Sequence, residues 1–252
     1  MTSSITSWLW GQAGASALVL VLARVAGLTW TAPALATSGL DWRLRLGLAA
    51  LLGVILLPVI GPEVAVPAGW PALGRACLAE ALIGAGLGWS AALIVAGARQ
   101  AGEIVGAQAG LSAAALFDPD AGDDLTPLGR LYGWIALASF LALDGPLALV
   151  RSLVESYRVL PAGGVVLSEE AARVAFGRVG QALTLAVRAA APTALALALA
   201  GAALGLLGRV APSLPLVALS LPIRSALGML LVLFGMITLA ATLSAAWSVS
   251  LP

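Results

Sequence analysis

Few side chains in this sequence of 252 residues could carry chemistry, and their types narrow the choice quickly. There is no histidine, which removes Ser–His and Cys–His nucleophile pairs, the HExxH zinc motif and most transition-metal sites. Cys77 is the single cysteine, so an internal disulfide and a multi-cysteine metal site are both excluded. All thirteen basic residues are arginine, so no Ser–Lys pair is available, and no paired-carboxylate arrangement stands out. What remains is charge set into apolar sequence. Arg24, Glu80 and Arg188 fall inside long apolar stretches and are candidates for buried ion pairs between helices. The carboxylates are too few and scattered to favour a proton relay. Arg99 and Glu103 are four apart, share a helix face and can pair. Gln108 and Ser112 continue that run through a glycine-interleaved segment, where polar groups expect protein or a water-filled path rather than hydrocarbon.

The elements that must position these groups are apolar helices. Six apolar stretches read as Gly11–Ala36, Leu44–Ile60, Ala76–Ala98, Leu131–Val150, Gln181–Gly208 and Ser225–Trp247, each too long for a strand. Trp8, Trp10, Trp42, Trp70 and Trp247 lie near stretch ends, as an aromatic belt would place them. Asp144-Gly145-Pro146 interrupts the fourth stretch, and Pro192, four residues after Arg188, is expected to kink the fifth. Between the third and fourth, Asp118, Asp120, Asp123 and Asp124 gather around Pro119, Gly122 and Pro127 as an acidic turn. Leu160-Pro161-Ala162-Gly163-Gly164 is a helix stop, and Ser168 before Glu169 and Glu170 reads as an N-cap. Small residues recur at helix spacing in Gly84 and Gly88, Gly102, Gly106 and Gly110, and Gly201 and Gly205. Such rows let another backbone approach closely, within this chain or on another subunit.

Composition fixes the environment. The sequence is 61% hydrophobic and 10% charged, against about 45–50% and 25% in soluble domains, so it belongs in a membrane or inside a large membrane-bound complex. A net charge of +1 gives no electrostatic case for nucleic acid. The expected fold class is all-α, a polytopic membrane protein of about six apolar helices, several of them broken or tilted. No linker divides the chain, so residues 1–252 are expected to form a single domain. If all six stretches crossed, the connecting loops would place Arg43, Arg45, Arg99, Arg130, Arg209 and Arg224 on one side and Arg75, Arg151, Arg158, Arg173 and Arg178 on the other. That balance shows none of the bias usual in polytopic proteins. With short, charge-interrupted stretches, it fits helices buried against other subunits better than helices alone in lipid.

Read together, the motifs carry a resemblance. They are Ala23-Arg24-Val25 with Thr31-Ala32-Pro33-Ala34-Leu35; the run Ala101-Gly102-Glu103-Ile104-Val105-Gly106-Ala107-Gln108-Ala109-Gly110-Leu111-Ser112, ending in Phe117-Asp118-Pro119; Leu143-Asp144-Gly145; and Ala203-Leu204-Gly205-Leu206-Leu207-Gly208-Arg209-Val210-Ala211-Pro212 with Leu221-Pro222. In this order the chain resembles the FliR family of flagellar type III export-apparatus proteins, from about Arg24 to Met236. The resemblance implies a non-enzymatic, single-copy subunit of an export gate, without cofactor or metal. The gate is assembled with FliP-like and FliQ-like subunits and associated with an FlhB-type subunit, in the bacterial inner membrane at the flagellar basal body. Unfolded flagellar proteins would be its transient cargo, driven by the proton-motive force and a separate ATPase. The helices would form a tilted stack largely above the bilayer plane. Gln108, Gly110, Leu111, Ser112, Phe117, Asp118 and Pro119 would belong to a segment, Gln108–Leu125, that plugs the closed pore. Two positions depart from the family: Pro146 stands where a histidine is common, and Ala109 where a methionine is usual.

Two alternatives compete. The virulence-type homologue of an injectisome shares the fold and differs in cargo, while the QxGLS wording favours the flagellar form. A secondary transporter for a small solute would show paired broken helices in two repeated halves, and Pro192 has no counterpart in the first half.

Overall fold

The computed structural model describes residues 12–35, 41–60, 64, 67, 69–111, 126–163, 169–210 and 216–250. Seven helices run through them: α1 (Gln12–Thr31), α2 (Trp42–Ile60), α3 (Trp70–Gln108), α4 (Pro127–Ala142), α5 (Gly145–Val159), α6 (Glu169–Val210) and α7 (Leu216–Ser250). No strand occurs among the described residues, so the all-α expectation holds. The six apolar stretches become seven helices because the fourth is broken where its sequence breaks. Asp144 sits in the left-handed region at φ 54°, ψ 31°, a conformation that Asp tolerates better than most residues with a Cβ. Pro146 then lies in the first turn of α5, where its missing N–H costs nothing.

Among the described residues, three helices are long and apolar enough to cross a membrane, within Gly14–Thr31, Trp70–Gln108 and Gly177–Val210, and up to five if each bent pair is one span. α2 is not among the three. Its first turn carries Arg43 and Arg45 beneath the capping residue Asp41, whose Oδ1 accepts from the Arg43 N–H at 3.4 Å. The long helices exceed a bilayer. With 39 residues in α3 and ~1.5 Å of rise per residue, that helix is roughly 58 Å long, against about 30 Å of hydrocarbon.

α3 continues through Gly102 and Gly106 to Gln108. Two residues on, Gly110 at φ 78° supplies the left-handed C-terminal turn. α6 runs through Pro192 without a break. Pro192 is exposed, so the loss of its hydrogen bond falls on the outer side of the helix. α7 bends by 47° between Pro222–Leu233 and Gly235–Trp247. Trp247 belongs to no belt. It is buried, stacks at 5.0 Å on Phe140 and donates its indole N–H to Ser139 Oγ at 3.0 Å. Trp42 and Trp70 are exposed, while Trp8, Trp10 and the Ser168 cap lie outside the described residues.

The chain divides into two compact units. The first comprises Met1–Ala92, Leu143–Arg178 and Ser250–Pro252. Its core is built on Leu20, Val21, Val25 and Leu28 of α1 and on Leu149, Leu153 and Tyr157 of α5. α5 is the one plainly amphipathic element: Gly145, Leu149, Leu153 and Tyr157 are buried at four-residue steps, while Arg151, Glu155 and Arg158 are exposed. The second unit comprises Leu93–Ala142 and Val179–Val249. Its core draws on Ala98, Ala101 and Val105, on Tyr132, Ala136 and Phe140, and on Leu197, Leu239, Leu243 and Trp247.

Candidate functional site

In the first unit the apolar core closes around an ion pair. α1 and α3 cross with almost no side chain between them. A Cβ at Gly84 would meet the carbonyl of Arg24, one at Gly88 the Leu28 carbonyl and the Thr31 hydroxyl, and one at Gly27 the Ala81 carbonyl. That approach brings Arg24 and Glu80 together at 0% and 1% exposure, Arg24 Nε donating to Glu80 Oε2 at 2.5 Å. The other guanidinium nitrogens reach the end of α5. Nη1 donates to Ser156 Oγ at 3.0 Å and Nη2 to the Leu160 carbonyl at 2.9 Å. The guanidinium carbon Cζ lies 4.0 Å from the Tyr157 ring centre. Glu80 Oε1 in turn accepts from the Gly163 N–H at 3.0 Å. A cation therefore sits at the negative end of a helix, and a carboxylate receives the backbone donor just beyond it. Each charge is compensated on the side the other leaves open, which burial of this kind requires.

The second unit holds a different polar centre. Thr126 caps α4: its Oγ1 accepts from the Gly129 N–H at 3.1 Å, and Pro127 fills the first helical position. Ordinarily a glutamate three residues after the cap would bond back to the cap's own N–H. Here that position is Gly129, and the carboxylate comes from α3. Glu103 Oε1 accepts from the Thr126 N–H at 2.8 Å and from its hydroxyl at 3.2 Å. A Cβ at Gly129 would strike this carboxylate, and Cβ atoms at Gly102 and Gly106 would strike the Leu128 backbone and the Thr126 side chain. The capping box is thus divided between two helices, and glycines on both sides make room for it. Just beyond, the Ala109 carbonyl accepts from Ser225 Oγ of α7 at 3.1 Å. Both chain ends flanking residues 112–125 are consequently held, one by Ser225 and one by Glu103.

The remaining candidates separate. Gln108 is exposed at the end of α3, and Gly110 and Leu111 are half-buried in the turn that follows. Ser112, Phe117, Asp118 and Pro119 lie outside the described residues. Arg99 and Arg188, expected as buried charges, are both exposed. Arg99 does not pair with Glu103, whose carboxylate is turned to Thr126. Its side chain lies against Gly133 instead. Gly201 faces the Arg224 guanidinium rather than a backbone, and Gly205 has open space around it. Sequence reasoning missed Thr126, Ser156, Gly163 and Gly27. Two of these had a signal: Thr126 is a capping residue directly before a proline, and Gly27 stands in the four-residue row of small residues Ala23, Gly27 and Thr31.

The group of bacterial export proteins described as family 1 matches residues 15–249. The chain belongs to that family. Among curated relatives, it is 35% identical over 209 residues to the flagellar biosynthetic protein FliR of Escherichia coli K12, covering 82% of this chain and 79% of the relative. To FliR of Caulobacter vibrioides it is 30% identical over 211 residues, covering 83% and 84%. To the Yop proteins translocation protein T of Yersinia pestis it is 31% identical over 154 residues, covering 60% and 59%. The family match takes in both polar centres, from Arg24 and Glu80 to Glu103 and Thr126. As a bacterial export protein with helices long enough to span a bilayer, the chain is a membrane protein.

Proposed function

We propose that this chain is a non-enzymatic subunit of the flagellar type III protein-export gate in the bacterial inner membrane. In this reading it assembles with FliP-like and FliQ-like subunits and an FlhB-type subunit at the flagellar basal body. Unfolded flagellar proteins pass through the pore that these subunits enclose. The observation that carries the reading is the similarity to flagellar FliR proteins over about four-fifths of both chains. The relation to a Yersinia translocation protein over 60% of this chain makes a virulence-type gate the second reading, with the same pore and different cargo.

Within that gate, Gln108–Leu125 closes the pore. Support comes from its mounting: a fixed helix end at Ala109, a cap at Thr126 held by the preceding helix, and an acidic, Pro- and Gly-rich sequence between them. Deleting residues 112–125 is expected to leave the complex assembled and make cells leaky to ions and small solutes. Assembly is read by co-purification, leak by solute-induced growth inhibition. An assembled complex with no added leak would remove this role. Failure of the intact chain to co-purify with any other export subunit would remove the gate reading as a whole.

A further inference from the structure

α6 carries a charged group that the described residues leave unanswered. Arg188 is exposed and has no hydrogen-bonding or ionic partner among the described residues. At about 100° per residue, Gln181, Thr184, Arg188, Leu195, Leu199 and Leu206 fall on one stripe of the helix, and all six are exposed. Of the three candidate spans this is the least covered, 17% buried within the chain against 39% and 44% for the others.

Three features distinguish the stripe from a surface made for lipid. Hydrocarbon offers nothing to a guanidinium, and such groups in apolar segments pair with protein or line a polar path. Pro192, also exposed, has no N–H to give to the Arg188 carbonyl four residues earlier. One turn therefore presents both an unpaired cation and a freed acceptor. Beside the leucines, Ala202 is exposed and Gly205 has open space where a Cβ would stand. This hollow is shallow enough for the backbone of another helix to enter.

We propose that this stripe of α6 receives an apolar helix from a different subunit of the gate, one that sets a carboxylate opposite Arg188. The proposal rests on the gate reading above. The bound helix places small residues against Leu195 and Leu199, and its carboxylate is neutralised by the guanidinium as Glu80 is by Arg24 in the first unit. The interface is thereby specific for a subunit with an acid at that height.

The test uses the full complex, with Arg188→Leu and Arg188→Lys variants and a photo-crosslinking amino acid replacing Leu195 in an otherwise wild-type chain. Arg188→Leu is expected to cut co-purification of the other subunits by about tenfold or more, because it strands the partner's carboxylate in an apolar interface. Arg188→Lys keeps the charge and retains most of the complex. The photo-crosslinker at Leu195 is expected to join this chain to a different protein subunit. Wild-type recovery with Arg188→Leu overturns the proposal, as do Leu195 adducts confined to lipid or to this chain's own residues. The crosslink is read without altering Arg188, so a folding defect in the substituted variants does not blur it. Wild-type chain that brings down no other subunit would instead refute the gate reading.

Discussion

Arg24 with Glu80 in the first unit, and Glu103 with Thr126 in the second, both bury a carboxylate against helix ends, by different means. The first pair is fully excluded from solvent and ties together segments 56 to 136 residues apart. Every polar atom it presents is answered by α1, α3, or the end of α5. The second joins two neighbouring helices only 23 residues apart, through a half-buried carboxylate that accepts from the Thr126 N–H and hydroxyl, with no cation at it among the described residues. A fully desolvated ion pair is intolerant of change because neither member can be left alone. A carboxylate accepting one backbone donor near solvent is a local clasp that opens without unpacking the core around it. The difference separates a centre that fixes a fold from one that holds the end of a segment.

The largest effect is expected where one charge is stranded. Glu80→Leu leaves Arg24 buried without its counter-ion and should cost about 3–5 kcal/mol, read as lost thermal stability of the detergent-solubilised complex. Arg24→Met combined with Glu80→Leu should recover more than half of that loss, since the site then becomes apolar. A double variant no better than the single would mean that the charges do not act as a pair. The backbone crossing beneath them should rank next. Gly84→Ala pushes a Cβ into the Arg24 carbonyl and should cost about 1–3 kcal/mol, as overpacking does. Gly74→Ala, on the same helix with nothing near its Cβ position, should be neutral or slightly stabilising, since Ala is the better helix former.

The clasp should be weaker and should show in a different measurement. Thr126→Ala removes the cap of α4 and should cost about 1 kcal/mol. Glu103→Ala removes the acceptor for the Thr126 N–H near solvent and should cost about 0.5–1.5 kcal/mol. Both complexes should still assemble while leak through the membrane rises, and Glu103→Gln, which keeps an acceptor oxygen, should restore most of the seal. Assembly loss equal to that of Glu80→Leu would erase the distinction between the two centres.

Much of this was legible before any coordinates. Long apolar runs forced helices, Asp144-Gly145-Pro146 forced the break in the fourth stretch, and the positions of Arg24 and Glu80 in apolar stretches marked both as ions in need of partners. What the sequence could not say was which charge meets which. Glu103 has Arg99 one turn away, yet a tertiary donor at Thr126 takes the carboxylate, because the glycines at 102, 106 and 129 let α4 come closer than Arg99 can reach around. Arg188 reads like Arg24 in apolar context and differs only in which side of its helix is packed. That depends on neighbours rather than on local pattern. Pro192, read as a kink, lies inside α6 with its ring on an exposed face.

The smallest expected effect tests this last distinction. Arg99 is exposed, and its aliphatic stem covers Gly133 while its charge has water or a partner surface to face. Arg99→Ala should therefore change the stability of the complex by no more than about half a kcal/mol, and Arg99→Lys, which keeps the stem, by less. Neither should raise the leak that Glu103→Ala produces. Leak from Arg99→Ala matching that from Glu103→Ala would show that the two residues do act as an i, i+4 pair in the assembled protein. The clasp would then contain a cation after all, and the second centre would be a more exposed version of the first.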